Sequence, residues 1–135
     1  MRPLQARPNI LRHAWLIVGW CGVIGVIVLS LIPNPPDLVP VEQGDKVEHI
    51  VAYGMLMFWF AQVYAALRTR AVIAGLLIAL GIALEYVQGW TGWREFSYAD
   101  MTADAAGVAL GWLIAAPRTP NLLGFAGSLL ARRLS

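Results

Sequence analysis

Charge is scarce in this chain of 135 residues. Only 13% are Asp, Glu, Lys or Arg while 59% are hydrophobic, against about 25% charged and 45–50% apolar in soluble domains. That shortage, with a mean hydropathy of +0.63, excludes an ordinary water-soluble core and points to a membrane protein. Cysteine is almost missing as well. The single Cys21 lies inside an apolar run, which excludes a disulfide framework and a cysteine metal cluster. There is no phosphate-binding glycine loop, no zinc-protease helix motif and no internal repeat. Arg2, Arg7 and Arg12 precede the first apolar run as in a secretory signal, but the run is too long and no A-x-A-like site follows; Pro33-Asn34-Pro35-Pro36 does. We read a retained first span.

What is present in quantity is uncharged apolar sequence. Ala14 to Ile32 is nineteen residues without a charge, Ile50 to Leu67 is eighteen, and Ala71 to Leu84 continues past a lone Glu85 to Trp90. About 20 residues at 1.5 Å rise cross a hydrocarbon layer of about 30 Å. A fourth run, Tyr98 to Ala116, carries Asp100 and Asp104 in its first two turns. The expectation is an all-α integral membrane four-helix bundle with spans near 14–32, 46–67, 71–90 and 98–116. A basic tail (1–13) precedes it, and an amphipathic tail (117–135) too short to span follows it.

The placement of the few charges sets an orientation. Eight of the ten basic residues (Arg2, Arg7, Arg12, Arg68, Arg70, Arg118, Arg132, Arg133) fall in the two tails and the second connection. The positive-inside rule puts these in the cytoplasm. This distribution also accounts for the net charge of +2 without invoking nucleic acid. All eight acids (Asp37, Glu42, Asp45, Glu48, Glu85, Glu95, Asp100, Asp104) lie in or near the first and third connections. They predict an acidic site facing outward. Trp90, Trp93, Phe96 and Tyr98 suit an interfacial belt on that side.

Three helices carry one polar stripe each toward that side. Asp45, His49 and Tyr53 recur every four residues, Glu85 and Gln88 are three apart, and Asp100 and Asp104 are four apart, spacings that stack on one helical face. Depth follows from the rise, with Glu85 about 7 Å below Trp90. Ionisable groups at that depth are costly unless they face one another or a wet pocket. Each also has a plainer use. Asp45 caps the second span and Asp100 sits in the first turn of the fourth, where acids suit the positive helix end. His49 and Gln88 serve as interhelical hydrogen-bonding groups. Gly107 and Gly111, with Ala103, make a flat side for close helix approach.

The ordered set Asp45-Lys46-x-x-His49-x-x-x-Tyr53, Glu85-x-x-Gln88, Arg94, Ser97-x-x-Asp100, Gly107 and Gly111 resembles the VanZ family, named for a protein associated with low-level teicoplanin resistance. The resemblance covers roughly residues 40 to 115. Asp104 stands where Asn is commoner in that family. The resemblance implies a small multi-pass protein of the bacterial cytoplasmic membrane whose polar motif forms its site, without implying a reaction.

The residues themselves suggest an enzyme acting on a lipid or lipid-linked glycan head group at the outer leaflet. Carboxylates in different environments divide acid and base duties, with Glu85 as acid and Asp100 as base. His49 is a second proton-transfer group or the partner of Asp45. Lys46 and Arg94 neutralise a phosphate, and Tyr53, Gln88 and Asp104 line the substrate site. A cation on Asp45, Asp100 and Asp104 is chemically reasonable, but the expectation is no metal and no cofactor. The alternative is a binding protein that holds a lipid, or shields an antibiotic's target, without chemistry.

Overall fold

Long apolar runs free of proline satisfy their backbone groups internally as helix, and prolines interrupt them where helix cannot continue. A computed structural model describes residues 6–36, 38–115 and 121–132. Its elements are α1 (Ala6–Leu31), α2 (Gly44–Val63), α3 (Leu67–Thr91), α4 (Tyr98–Ile114) and α5 (Leu122–Arg132), with no strand among the described residues. Arg2, Asp37, Arg118 and Arg133 from the charge argument, Ala116 at the end of the fourth run and residues 117–120 of the tail lie outside the described residues.

Two segments are long and apolar enough to cross a membrane. They are Ile10–Leu31 within α1 and Leu67–Thr91, with mean hydropathies of 2.3 and 2.0. In α2 and α4, which carry most of the polar stripe residues, those side chains lower the hydropathy. Large apolar side chains are left bare: Ile17, Val18, Trp20, Ile24 and Val28 on α1 and Val72 and Leu76 on α3 are all exposed.

The second connection differs from the expected 68–70 turn. α2 stops at Val63 and α3 already starts at Leu67, so the break falls in the apolar stretch 64–66 and Arg68 and Arg70 belong to the first turn of α3. The reason is Arg70, which is buried. Its Nε donates to the Tyr64 carbonyl at 2.7 Å and its Nη2 to the Ala61 carbonyl at 2.8 Å, so a guanidinium closes the carbonyl end of α2, where positive charge is favoured. Replacing Arg70 with Ala leaves those carbonyls without this donor. Charge-assisted hydrogen bonds of this kind are worth about 1.5–3 kcal/mol, and thermal unfolding in detergent should show a loss of at least that order.

The remaining architecture follows from close approach. α2 and α4 form the most extensive interface, because a Cβ at Gly107 would run into the Ile50 carbonyl and one at Gly111 into the Gly54 carbonyl. Two helices lacking side chains at the crossing bring their backbones into contact. Around this seam Tyr53, Leu56, Met57, Phe60, Leu77 and Val108 form the core. α1 is tied to α2 by Trp15 and Trp59, stacked at 4.1 Å, with the Trp59 indole donating to the Trp15 carbonyl at 2.8 Å. α5 is fastened at the opposite end from the polar stripes, where Gln62 Oε1 accepts the Leu122 N–H at 2.9 Å.

Candidate functional site

The start of α2, the end of α3 and the start of α4 meet at one end of the bundle, and the side chains bridging them are ionisable. His49 Nδ1 lies 2.7 Å from Asp104 Oδ1, joining α2 to α4. With Asp104 ionised its carboxylate only accepts, and Nδ1 then carries the proton and donates. Lys46 Nζ makes a second bridge to Asp100 Oδ1 at 3.0 Å while also holding Asp45 Oδ2 at 2.8 Å. Asp45 is exposed ahead of the first apolar turn, and the Lys46 ammonium bonded to it holds its carboxyl below the usual carboxylate range.

Glu85 links α3 to α4 differently. At 1% exposure, its Oε2 accepts the Ser97 N–H at 3.0 Å, and Ser97 Oγ accepts the Asp100 N–H at 3.2 Å. The N-terminus of α4 is thereby capped by its own serine and faced by a carboxyl oxygen, both favourable where helix N–H groups lack partners. Gly92, in the left-handed region at φ 72°, ends α3 and starts the short loop that brings Ser97 back to Glu85.

Asp104 has room for its carboxylate because α3 presents Gly81 to it; a Cβ there would collide with Asp104 Oδ2. Gly81→Ala is expected to push Asp104 off His49. Overpacking of this kind costs about 1–3 kcal/mol, to be read as a lowered unfolding temperature beside an unchanged helix content by circular dichroism.

A cavity of about 150 Å³ opens beside this cluster, between α1, the proline-rich connection and α2. His49, Tyr53, Asp45, Glu48 and Arg94 line it together with apolar residues of α1. Arg94 has no carboxylate partner among the described residues. Glu48 builds one wall: its Oε1 accepts the Leu38 and Val39 N–H groups at 2.8 and 2.9 Å, pinning the connection against α2.

Of the residues singled out from the sequence, Asp45, His49, Tyr53 and Arg94 line the cavity. Lys46, Asp100, Asp104 and Glu85 form the bonded cluster beside it. Gln88 faces elsewhere, donating to the Ser30 carbonyl at 2.8 Å, and so ties α3 to α1. His49 is bonded to Asp104, and Asp45 to Lys46. The donors that gather are also other than Asp45, Asp100 and Asp104: one ligand atom each from His49, Glu85 and Asp100 lies within 4.8 Å of the others. Glu48 and Ser97 were given no role from the sequence. The signal for Ser97 was present, a serine three residues before an acid at a helix start; for Glu48, one acid among several near a helix start, there was none.

Comparison with known protein families, with curated proteins and with solved structures finds no match for this chain.

Proposed function

We propose that the chain is a VanZ-like, four-span protein of the bacterial cytoplasmic membrane with both termini in the cytoplasm. In this reading its outward-facing site receives the phosphate-bearing head group of a lipid or lipid-linked glycan and acts on it by proton transfer. The observation that carries the reading is the cavity in which Arg94, without a carboxylate partner among the described residues, and the Asp104-bonded His49 lie beside the apolar face of α1. A guanidinium at the cavity wall suits a phosphate, an oriented imidazole suits proton transfer, and the apolar wall suits the start of a lipid tail.

Several features support the membrane setting. The bare apolar faces of α1 and α3 suit lipid, α2 with 20 residues and α4 with 17 reach roughly 30 and 25 Å, and Trp90, Trp93 and Tyr98 are exposed at the polar end, as an aromatic belt would be. Size narrows the occupant. The cavity, about 150 Å³ and open to the outside, has room for a phosphate-sized group. In this reading a link to glycopeptide resistance would run through the altered lipid or cell envelope.

One observation favours the second reading, capture without chemistry. Glu85, Asp100 and Asp104 stand outside the cavity lining, and each already holds a partner. Expressing wild type, His49→Ala, Glu85→Gln and Asp100→Asn and comparing membrane lipids and lipid-linked intermediates by mass spectrometry separates the two. The enzymatic reading expects a lipid change that wild type produces and the variants do not. Identical profiles with persisting head-group binding leave the binding reading. In either case Arg94→Gln should weaken binding of a phosphate-bearing lipid by about 10–100-fold, the worth of one charge-assisted hydrogen bond, measured by titration in detergent.

A further inference from the structure

Three carboxylates, Glu85, Asp100 and Asp104, crowd around His49 with one ammonium, Lys46, bonded to any of them, and that ammonium is shared with Asp45. Glu85 is 1% exposed and Asp100 5%. Only Oε2 of Glu85 is engaged, by the Ser97 N–H; its second oxygen has no hydrogen-bond partner among the described residues. The Tyr53 hydroxyl, on a residue 2% exposed at the cavity wall, has none either. Among the described residues no side-chain oxygen is both sealed from solvent and unbonded, so these open oxygens are atoms that a ligand can reach.

We propose that His49, Glu85 and Asp100 bind one divalent cation, with Asp104 positioning the imidazole. One donor atom of each lies within 4.8 Å of the other two. Around a bound ion, donors at about 2.0–2.2 Å stand roughly 3–4 Å apart, so small side-chain rotations close the set. Asp104 on Nδ1 supplies the carboxylate–histidine pairing that orients metal-binding imidazoles and leaves the second ring nitrogen for a ligand. Lys46 occupies Oδ1 of Asp100, so the ion takes the other oxygen, or displaces the ammonium toward Asp45, its partner at 2.8 Å. One imidazole with two carboxylates and no thiolate selects Mn²⁺, Fe²⁺ or Zn²⁺ over copper(I) on one side and the all-oxygen preference of Ca²⁺ on the other. The ion would also lie beside the phosphate-sized cavity; with it bound both His49 nitrogens are engaged, so ion binding and proton transfer by His49 exclude each other, and the ion's binding does not depend on the lipid reading.

The test uses the full chain purified in detergent, stripped with chelator and titrated with Mn²⁺ followed by electron paramagnetic resonance. Wild type is expected to bind one Mn²⁺ per chain and to show nitrogen coupling from a coordinated imidazole in the pulsed spectrum. Glu85→Gln and His49→Ala should weaken binding at least tenfold, and Asp104→Asn by about 10–100-fold as an orienting partner does. Glu95→Gln, an exposed acid outside the set, should change nothing. Absence of saturable Mn²⁺ or Zn²⁺ binding up to about 1 mM, a free energy of only about 4 kcal/mol, overturns the proposal. So does bound Mn²⁺ without nitrogen coupling, a wild-type readout that holds even if a variant fails to fold. Ion binding together with unchanged lipids counts against the lipid reading and leaves the metal site standing.

Discussion

Gly111→Leu is expected to unfold the contact between α2 and α4 and to disable the ionisable cluster from a distance. Its Cβ would meet the Gly54 carbonyl oxygen, a backbone atom that no rotamer change moves aside. The helices must separate, and the cost exceeds the roughly 1–3 kcal/mol of ordinary overpacking. Gly111 lies seven residues beyond Asp104, about 10 Å along the helix. Both bridges at the site, His49 to Asp104 and Lys46 to Asp100, nevertheless span the same pair of helices. Gly75→Leu supplies the control, because nothing lies within 4 Å of a Cβ there. Unfolding temperatures in detergent should fall sharply for the first variant and hardly at all for the second. Equal temperatures would mean that the α2 and α4 backbones do not touch.

Asp104→Asn should have the largest effect on chemistry. The shape is kept and Gly81 still accommodates the side chain. An amide, however, can offer its NH₂ to the ring as readily as its oxygen, so it no longer demands a proton on Nδ1, and it removes the charge that stabilises an imidazolium. Groups engaged in proton transfer contribute about 10²–10⁴ in rate, so if the proposed enzymatic reading holds, a loss on the order of 100-fold is expected in the lipid change it calls for, measured by mass spectrometry. Helix content should stay at the wild-type level. Full activity in the Asp104→Asn variant would move proton transfer away from His49 and toward Glu85 or Asp100.

Much of the helical architecture was legible without coordinates. The apolar runs and the prolines at 33, 35 and 36 marked α1 and its end, and the spacing of Asp45, His49 and Tyr53 put them on one face of α2. The connection at 64–66 was hidden because Tyr64, Ala65 and Ala66 are as apolar as the helices they separate. What breaks the helix there is a buried arginine from the following turn, and an arginine beside a turn reads in sequence as a solvated charge. Gln88 misled in the opposite way: three residues from Glu85 it joins the polar stripe, yet its amide serves the Ser30 carbonyl of α1.

Sequence by itself determined that the chain is helical and which polar side chains share a helix face, because these depend on local composition and a period of 3.6 residues. Of the four spans it led us to expect, two are helices long and apolar enough to cross a bilayer by themselves. Tertiary structure decided which of those groups touch. His49 meets Asp104 and Lys46 meets Asp100 because glycine backbones lock α2 and α4 at one relative height. The register between two helices is a distance across space, and no spacing along either one encodes it.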